Sequence, residues 1–330
     1  MYFITLTKYM LWYILFICDI IDKTNKCEVI MKLEYIATEN DVNKTIKEIL
    51  LSYFHISHRL LITLKKENCI FLNESPSFIY KALQLGDKIT VSFDYIEDNS
   101  NIVPKQMNLQ IIYEDEWLLV INKPAGIPVH PSILHYEDSL SNGVRYYFDS
   151  INLKKKIRPV IRIDKDTSGI VVFAKCEYIQ ESLIKQMEKN IFKKEYIAIV
   201  EGHFTNLKGT INAPIARKNN SIIERQVNEN GDKSITHYEV FKKLEIDSIK
   251  ISIVKCFLET GRTHQIRVHM TYINHPLLGD DLYGGNLDLI KRQALHCKKI
   301  SFIHPITNCE IYFETNLPED MLNLLKHKYT

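Results

Sequence analysis

The chain has 330 residues, 45% of them hydrophobic and 25% charged. This is an ordinary soluble globular composition, with length for about two domains, and it excludes a disordered, collagen-like or disulfide-scaffold chain. With 42 basic against 40 acidic residues the net charge is only +2, so bulk charge does not announce a nucleic-acid binder.

Residues 1–30 open with an apolar run from Tyr9 to Cys18, which Asp19 interrupts. A membrane-spanning helix needs about 20 apolar residues. A secretory signal needs a basic start and a small-residue cleavage site, and the run has neither. The segment is expected to be an upstream extension, with Met31 as the initiator. A weak membrane or partner anchor is the alternative.

Residues 31–100 read as a small module. Val42 to Leu51 has helical spacing, and Ser57 is placed to cap a second helix, His58 to Glu67. Cys69 to Asn73 reads as a strand, Leu85 to Lys88 as a turn and Ile89 to Phe93 as another strand. Residues 94–101, polar and acidic, read as a linker. The module carries 8 basic and 10 acidic residues, so the positive excess lies beyond it.

In residues 101–330, Trp117 to Asn122 reads as a buried strand ending at the turn Lys123-Pro-Ala-Gly126. Ile170 to Ala174 reads as a second buried strand, Tyr178 to Asn190 as a helix and Tyr196 to Glu201 as a strand. Tyr238 to Leu244 and Ile249 to Glu259 alternate like an antiparallel pair. His264 to Tyr272 looks helical and Lys298 to Ile303 extended. Strands joined mostly by hairpins, with few helices between, argue for an α+β fold on a mixed, largely antiparallel sheet.

The 7 cysteines are scattered, with no Cys-x-x-Cys, and the 12 histidines show no metal-ligand spacing. That argues against a disulfide framework and a zinc site, and fits a reducing cytoplasm. No Gly-x-x-x-x-Gly-Lys, Gly-x-Gly-x-x-Gly or Gly-x-Ser-x-Gly motif occurs.

The densest polar cluster is Arg162-Ile-Asp164-Lys-Asp166-Thr-Ser-Gly169. It matches the first half of a calcium loop, but Lys175 stands where the closing glutamate belongs, and a strand follows instead of a helix. A glycosidase-like carboxylate pair, Asp164 with Asp166, stays open. So does the plain reading in which both carboxylates cap a turn. The second cluster is Thr260-Gly-Arg262-Thr-His264-Gln265-Ile-Arg267-Val-His269. Thr263 is expected to cap the helix, with Ile266 and Met270 packed inward and His264, Arg267 and Tyr272 toward the polar side. Arginine suits carboxylate and phosphate through its planar fork. The third is Lys193-Lys-Glu-Tyr196, where the tyrosine is either strand packing or a surface for an aromatic ligand. Lys154 to Arg158 and Arg217-Lys218 are solvated loop or phosphate contacts.

Taken in order, these clusters resemble the RluA-type pseudouridine synthase family. The resemblance runs through Ile121-Asn-Lys-Pro-Ala-Gly-Ile-Pro-Val-His-Pro131, the Arg162 to Gly169 cluster, Lys194 to Gly202 and Ala213-Pro-Ile-Ala-Arg217. It continues through Ser221 to Arg225, Thr236-His-Tyr-Glu239, Thr260 to Arg267 and His275-Pro-Leu-Leu-Gly-Asp280. Residues 40–96 resemble a diverged copy of the small ribosomal-protein-type RNA-binding module that precedes many such synthases, on Ser57 to Leu61 and Cys69 to Asn73.

The resemblance implies isomerisation of uridine in RNA to pseudouridine. The bond from sugar to nitrogen breaks, the uracil turns and a carbon–carbon bond forms, with no cofactor and no metal. It implies Asp164 as the catalytic aspartate, Arg267 as its partner, Tyr196 against the target base and Arg162 on the flipped nucleotide. Arg262, His264, Arg217 and Lys123 are the further expected RNA contacts. The target base must leave its stack at a cost of a few kcal/mol, which phosphate contacts offset in a salt-dependent way. Gly169 is expected to permit a close backbone approach. Two positions depart from the family pattern: Ile161 stands where histidine is usual, and Ile163 where leucine is usual.

The leading expectation is therefore a monomeric RNA pseudouridine synthase, with structured RNA as its partner, large-subunit rRNA ahead of tRNA, and no membrane. The alternative is an RNA-binding or ribosome-assembly protein with weak or lost catalysis, which Ile161 and the non-basic module would support. A carboxylate-pair glycoside hydrolase is more distant, and would make Asp166 matter as much as Asp164.

Overall fold

The structure is a computed structural model and describes residues 31–326. The expectation for residues 1–30 lies outside the described residues. The chain divides into two compact units, one ending at Tyr95 and the other starting at Ile96.

In the first unit β1 (Lys32–Ile36) is followed by a 3-10 turn (Glu39–Asp41), α1 (Ile46–Ser52) and α2 (His58–Lys66). Then come β2 (Ile70–Leu72), β3 (Ser75–Pro76) and β4 (Lys88–Ser92). The strands form an antiparallel sheet in the order β1-β4-β2-β3. The first helix starts four residues later than its periodicity suggests. Thr45 and Glu48 form a reciprocal capping box that fixes the start, and Asn43 has a left-handed backbone (φ 68°) that no helix continues through. Ser57 caps α2 as expected, accepting from the Leu60 N–H at 3.1 Å. Ile46, Leu50, Leu60, Leu64, Ile89 and Phe93 are fully buried and form the core.

The second unit holds β5 (Ile111–Glu114), β6 (Leu118–Lys123), α3 (Leu140–Ser150), β7 (Arg158–Pro159), β8 (Ser168–Ala174) and α4 (Glu177–Glu188). It continues with β9 (Lys193–Glu201), β10 (Lys208–Asn212), β11 (Ile215–Arg217), β12 (Arg225–Val227), β13 (Ile235–Ile246) and β14 (Ile249–Leu258). It ends with α5 (Gln265–Tyr272), β15 (Leu295–Ile303), β16 (Glu310–Glu314) and α6 (Glu319–Lys326). One ten-stranded sheet runs β10-β13-β14-β9-β15-β8-β6-β5, with β16 on β15 and β7 on β8. Its pairs are antiparallel except β15 with β8. The fold is thus α+β on a mixed, largely antiparallel sheet. β13 and β14 are the expected antiparallel pair. β11 and β12 form a separate two-stranded ribbon.

Every residue of β8 is buried, as its unbroken apolar run requires. Ile179 and Leu183 of α4 pack onto β8 and β15. On the β9–β14 side, Ile199, Ile251 and Ile253 meet Leu278 and Met321.

Three local features differ from the sequence reading. The helix α3 falls in a stretch to which the sequence reading assigns no element. Ser139 and Asn142 form a capping box there, and Leu140, Val144 and Phe148 bury one helical stripe. The segment 94–101 is not a plain linker. The carboxylate of Glu97 takes the Arg158 fork, and both side chains are only 9% exposed. Asn99 is buried and bonds the backbone of Lys155 and Ile157. Periodicity carries no sign of partners so distant in sequence. Thirdly, Thr263 does not cap α5. His264 occupies that position with a left-handed backbone (φ 57°) and no side-chain cap bond.

Gly169 shows which backbone approaches it. It lies opposite Cys297 in the parallel β8–β15 pair, with φ +116°, and a Cβ there would sit 2.3 Å from the Cys297 carbonyl oxygen. Gly169→Ala is expected to destabilise the unit by more than about 2 kcal/mol, read as a lower midpoint in chemical denaturation.

Candidate active site

Asp164 sits on the loop from β7 to β8. The turn closes with the Thr167 N–H donating to the Asp164 carbonyl at 3.1 Å. The loop is held from behind by groups that come from elsewhere. Lys123 Nζ donates to the carbonyls of Lys165 (2.8 Å), Pro124 (2.8 Å) and Ile127 (2.7 Å). Arg292 donates to the Asp166 carbonyl at 3.0 Å while its fork grips Asp320. Gln293 reaches the Thr167 hydroxyl, and Ser168 Oγ bonds His296 Nδ1 at 2.9 Å. Burial pushes His296 down to about 4, so it is neutral at pH 7 and works as a hydrogen-bonding strut.

The opposite wall is the start of α5. Buried Gln265 organises the turn before it. Its Oε1 accepts from the Thr260 hydroxyl (2.8 Å) and the Arg262 N–H (3.0 Å), and its Nε2 donates to the Ile235 carbonyl (2.9 Å). Two residues on, Arg267 is aimed across the cleft. Its Nε and Nη2 grip Asp280 at 2.7 and 2.8 Å, and its Nη1 reaches Asp164 Oδ2 at 3.3 Å. Asp280 is fully buried. Burial opposes the Arg267 charge, but Asp280 and then Asp164 outweigh it and hold its pKa above the ordinary value. The guanidinium also lies over the Tyr283 ring at 5.0 Å.

These walls enclose a cleft of about 810 Å³ lined by Asp164, Arg162, Tyr196, Arg262, His264 and Arg267, among others. That volume suits a ligand of nucleotide size. Tyr196 is buried on β9, and burial followed by the neighbouring Cys297 pushes its phenol well above the usual range. It is a neutral ring. His264 Nε2 is 4.0 Å from Asp164 Oδ2, and its Nδ1 bonds the Tyr283 hydroxyl at 2.9 Å. Burial lowers its pKa, with Asp164 pulling the other way, so the imidazole is neutral at pH 7. Arg162 is exposed on the rim. Arg262 is an exposed rim residue tied to Asp232 at 3.8 Å. Ile161 and Ile163 are buried and help line the cleft.

Two expected RNA contacts do not join this group. Lys123 is corrected outright: it is fully buried and its three N–H bonds are spent on backbone carbonyls. Arg217 lies on the β11–β12 ribbon and does not line the cleft. Asp166, the second carboxylate of the glycosidase reading, is outside the lining too. Asp280, Gln265, Arg292 and Tyr283 were missed as site residues. Gln265 and Asp280 stood inside quoted motifs, Thr260 to Arg267 and His275 to Asp280, whereas Tyr283 and Arg292 stood in none. Among the described residues, no group of histidine, cysteine and acidic side chains is placed to hold a metal. No described helix is long and apolar enough to cross a membrane.

Comparison with known proteins identifies the family. Residues 117–272 match the family described as RNA pseudouridylate synthase. An uncharacterized RNA pseudouridine synthase of Bacillus subtilis (strain 168), YhcT, is 42% identical over 241 residues, spanning 73% of this chain and 79% of the relative. The ribosomal large subunit pseudouridine synthase D of Blochmanniella floridana is 36% identical over 275 residues, spanning 77% of this chain and 84% of the relative. The solved structure of human RNA pseudouridylate synthase domain containing 1 superposes with a TM-score of 0.55 at 26% identity, covering 67% of this chain and 87% of that one. The chain belongs to the RluA-type pseudouridine synthase family. It is an isomerase that acts on RNA.

Two outcomes test how the site is held. Asp280→Asn leaves the Arg267 charge without its buried counterion. It is expected to cost about 3 kcal/mol of stability and, by releasing Arg267 from Asp164, about 100-fold in kcat/KM. Denaturation and kinetic assays check both. Burial lowers the Lys123 pKa to about 7, with Asp166 and Asp164 opposing the shift. The unfolded chain keeps this proton up to about pH 10.5, the ordinary lysine value. Between these pH values the unfolded state binds more protons, so Lys123 makes stability rise with pH. Lys123→Met is expected to flatten that rise when denaturation midpoints are measured across the window.

Proposed function

We propose that this protein isomerises specific uridines in large-subunit ribosomal RNA, with Asp164 as the reacting carboxylate. The observation that carries the reading is the placement of Asp164 3.3 Å from Arg267, in one cleft with the neutral ring of Tyr196. The ribosomal substrate is supported by the names of relatives such as the large subunit synthase D.

A base paired or stacked in RNA cannot reach a carboxylate set at the back of a cleft, so the target nucleotide turns out of its stack. Tyr196 then lies against the uracil and Arg162 meets the nucleotide from the rim. The sugar-to-nitrogen bond breaks, the uracil turns and a carbon–carbon bond forms. A proton leaves the ring carbon and one is gained at the ring nitrogen, so substrate and product are isomers. Arg267 holds Asp164 in position through this sequence and is itself held by Asp280. The first unit is proposed as an auxiliary RNA contact, supported by Lys65 and Lys66 in the last turn of α2.

The test is pseudouridine mapping of total RNA from cells with and without the gene, by carbodiimide primer-extension stops. One or a few large-subunit rRNA stops are expected to vanish in the deletion. Wild type restores them and Asp164→Asn does not, while purified Asp164→Asn still binds the RNA. A deletion that keeps every stop, with purified wild type inactive on unmodified rRNA transcripts, overturns the proposal.

A further inference from the structure

A second cleft, of about 480 Å³, opens beside the one that holds Asp164. The two share a wall made by Lys194, Leu258 and Glu259. Lys194 stands two residues before Tyr196 on β9, so both side chains leave the same face of the strand, about 6.6 Å apart along it.

The charges of this second cleft are mostly spoken for. Glu259 takes His237 at 2.6 Å, and Glu195 faces Lys255 at 3.8 Å. Lys299 lies over the Tyr312 ring at 4.8 Å. Lys194 is different. It is half-buried, and its Nζ makes no hydrogen bond or ion pair with any described residue. Burial lowers its pKa, with Cys297 opposing, and the carboxylate of the shared wall, Glu259, is taken by His237. Half-buried and lining both clefts, Lys194 is within reach of an anion that enters either one.

The substrate class supplies that anion at the right place. RNA has one phosphodiester between successive nucleosides. When the target uridine fills the first cleft and its neighbour the second, the phosphate between them falls at the shared wall. We infer that Lys194 binds the phosphodiester adjoining the target uridine and that the second cleft receives the neighbouring nucleotide. Phe257, half-buried in that cleft, offers its ring to the neighbour's base, and exposed Lys193 adds positive charge at its edge. The inference rests on the reading that the target enters the cleft of Asp164.

The test has two arms. In the first, binding of an oligouridylate of about ten nucleotides is measured against salt. Lys194→Gln is expected to raise Kd about tenfold at low salt and to lower the slope of log Kd against log salt by about one. Lys194→Arg keeps most of the affinity. In the second, an RNA fragment spanning the mapped uridine carries one neutral methylphosphonate linkage, moved along the strand. At one linkage adjoining the uridine it should weaken wild type by the same factor and Lys194→Gln no further, with the loss in KM and not in kcat. An unchanged salt slope in a Lys194→Gln protein of normal Tm overturns the inference, as does a methylphosphonate loss that adds in full to the substitution. Wild type that binds but does not modify the fragment counts against the active-site reading alone, because the salt slope still reports on Lys194.

Discussion

One buried guanidinium organises the cleft. Arg267 has five N–H donors in a rigid fork. Two of them are fixed on Asp280, which leaves Nη1 pointing at Asp164. A lysine here would offer a point charge that could settle on either carboxylate, and could not hold both at defined angles. Asp280 in turn depends on Gly279, whose φ is +77° and where a Cβ would lie 2.1 Å from the Arg292 carbonyl oxygen. The same Arg292 donates to the loop of Asp164. The two sides of the cleft are therefore tied to one another through backbone that tolerates no side chain.

The groups around Asp164 divide by charge. His264 and Tyr196 are neutral at pH 7, by burial above all. The charged side chains lining the cleft are Asp164, Glu259, Arg267, Arg162, Arg262 and Lys194. A chain whose net charge is only +2 thus presents a cleft in which four cations face two carboxylates. Local placement, not bulk composition, suits it to a polyanion.

The strands were legible because their apolar runs and alternation are local signals, and β6, β8, β13 and β14 fall where the pattern puts them. Asp164, Arg162, Tyr196 and Arg267 were legible as a set because three short motifs carry them. What escaped was anything defined by a distant partner. Lys123 looks like a surface cation in sequence, yet it ends beneath the Asp164 loop as a clamp on three carbonyls. Gln265 displaced Thr263 as organiser of the α5 start because its partners lie on β13, far away in the chain. Glu97 looked like linker charge until Arg158 was placed beside it.

The single parallel pairing in the sheet has a consequence for how the molecule is made. β15 lies between β8 and β9 and joins two halves that are otherwise separate, β5-β6-β8 and β10-β13-β14-β9. It begins only at Leu295. During synthesis both halves precede the strand that joins them, and although β7 covers one end of β8, Ser168 and Gly169 at its other end stay unpaired on that edge until His296 and Cys297 arrive. An unpaired edge of that kind is a template for another chain. Until Leu295–Ile303 is made, no strand of the sheet bridges β8 and β9.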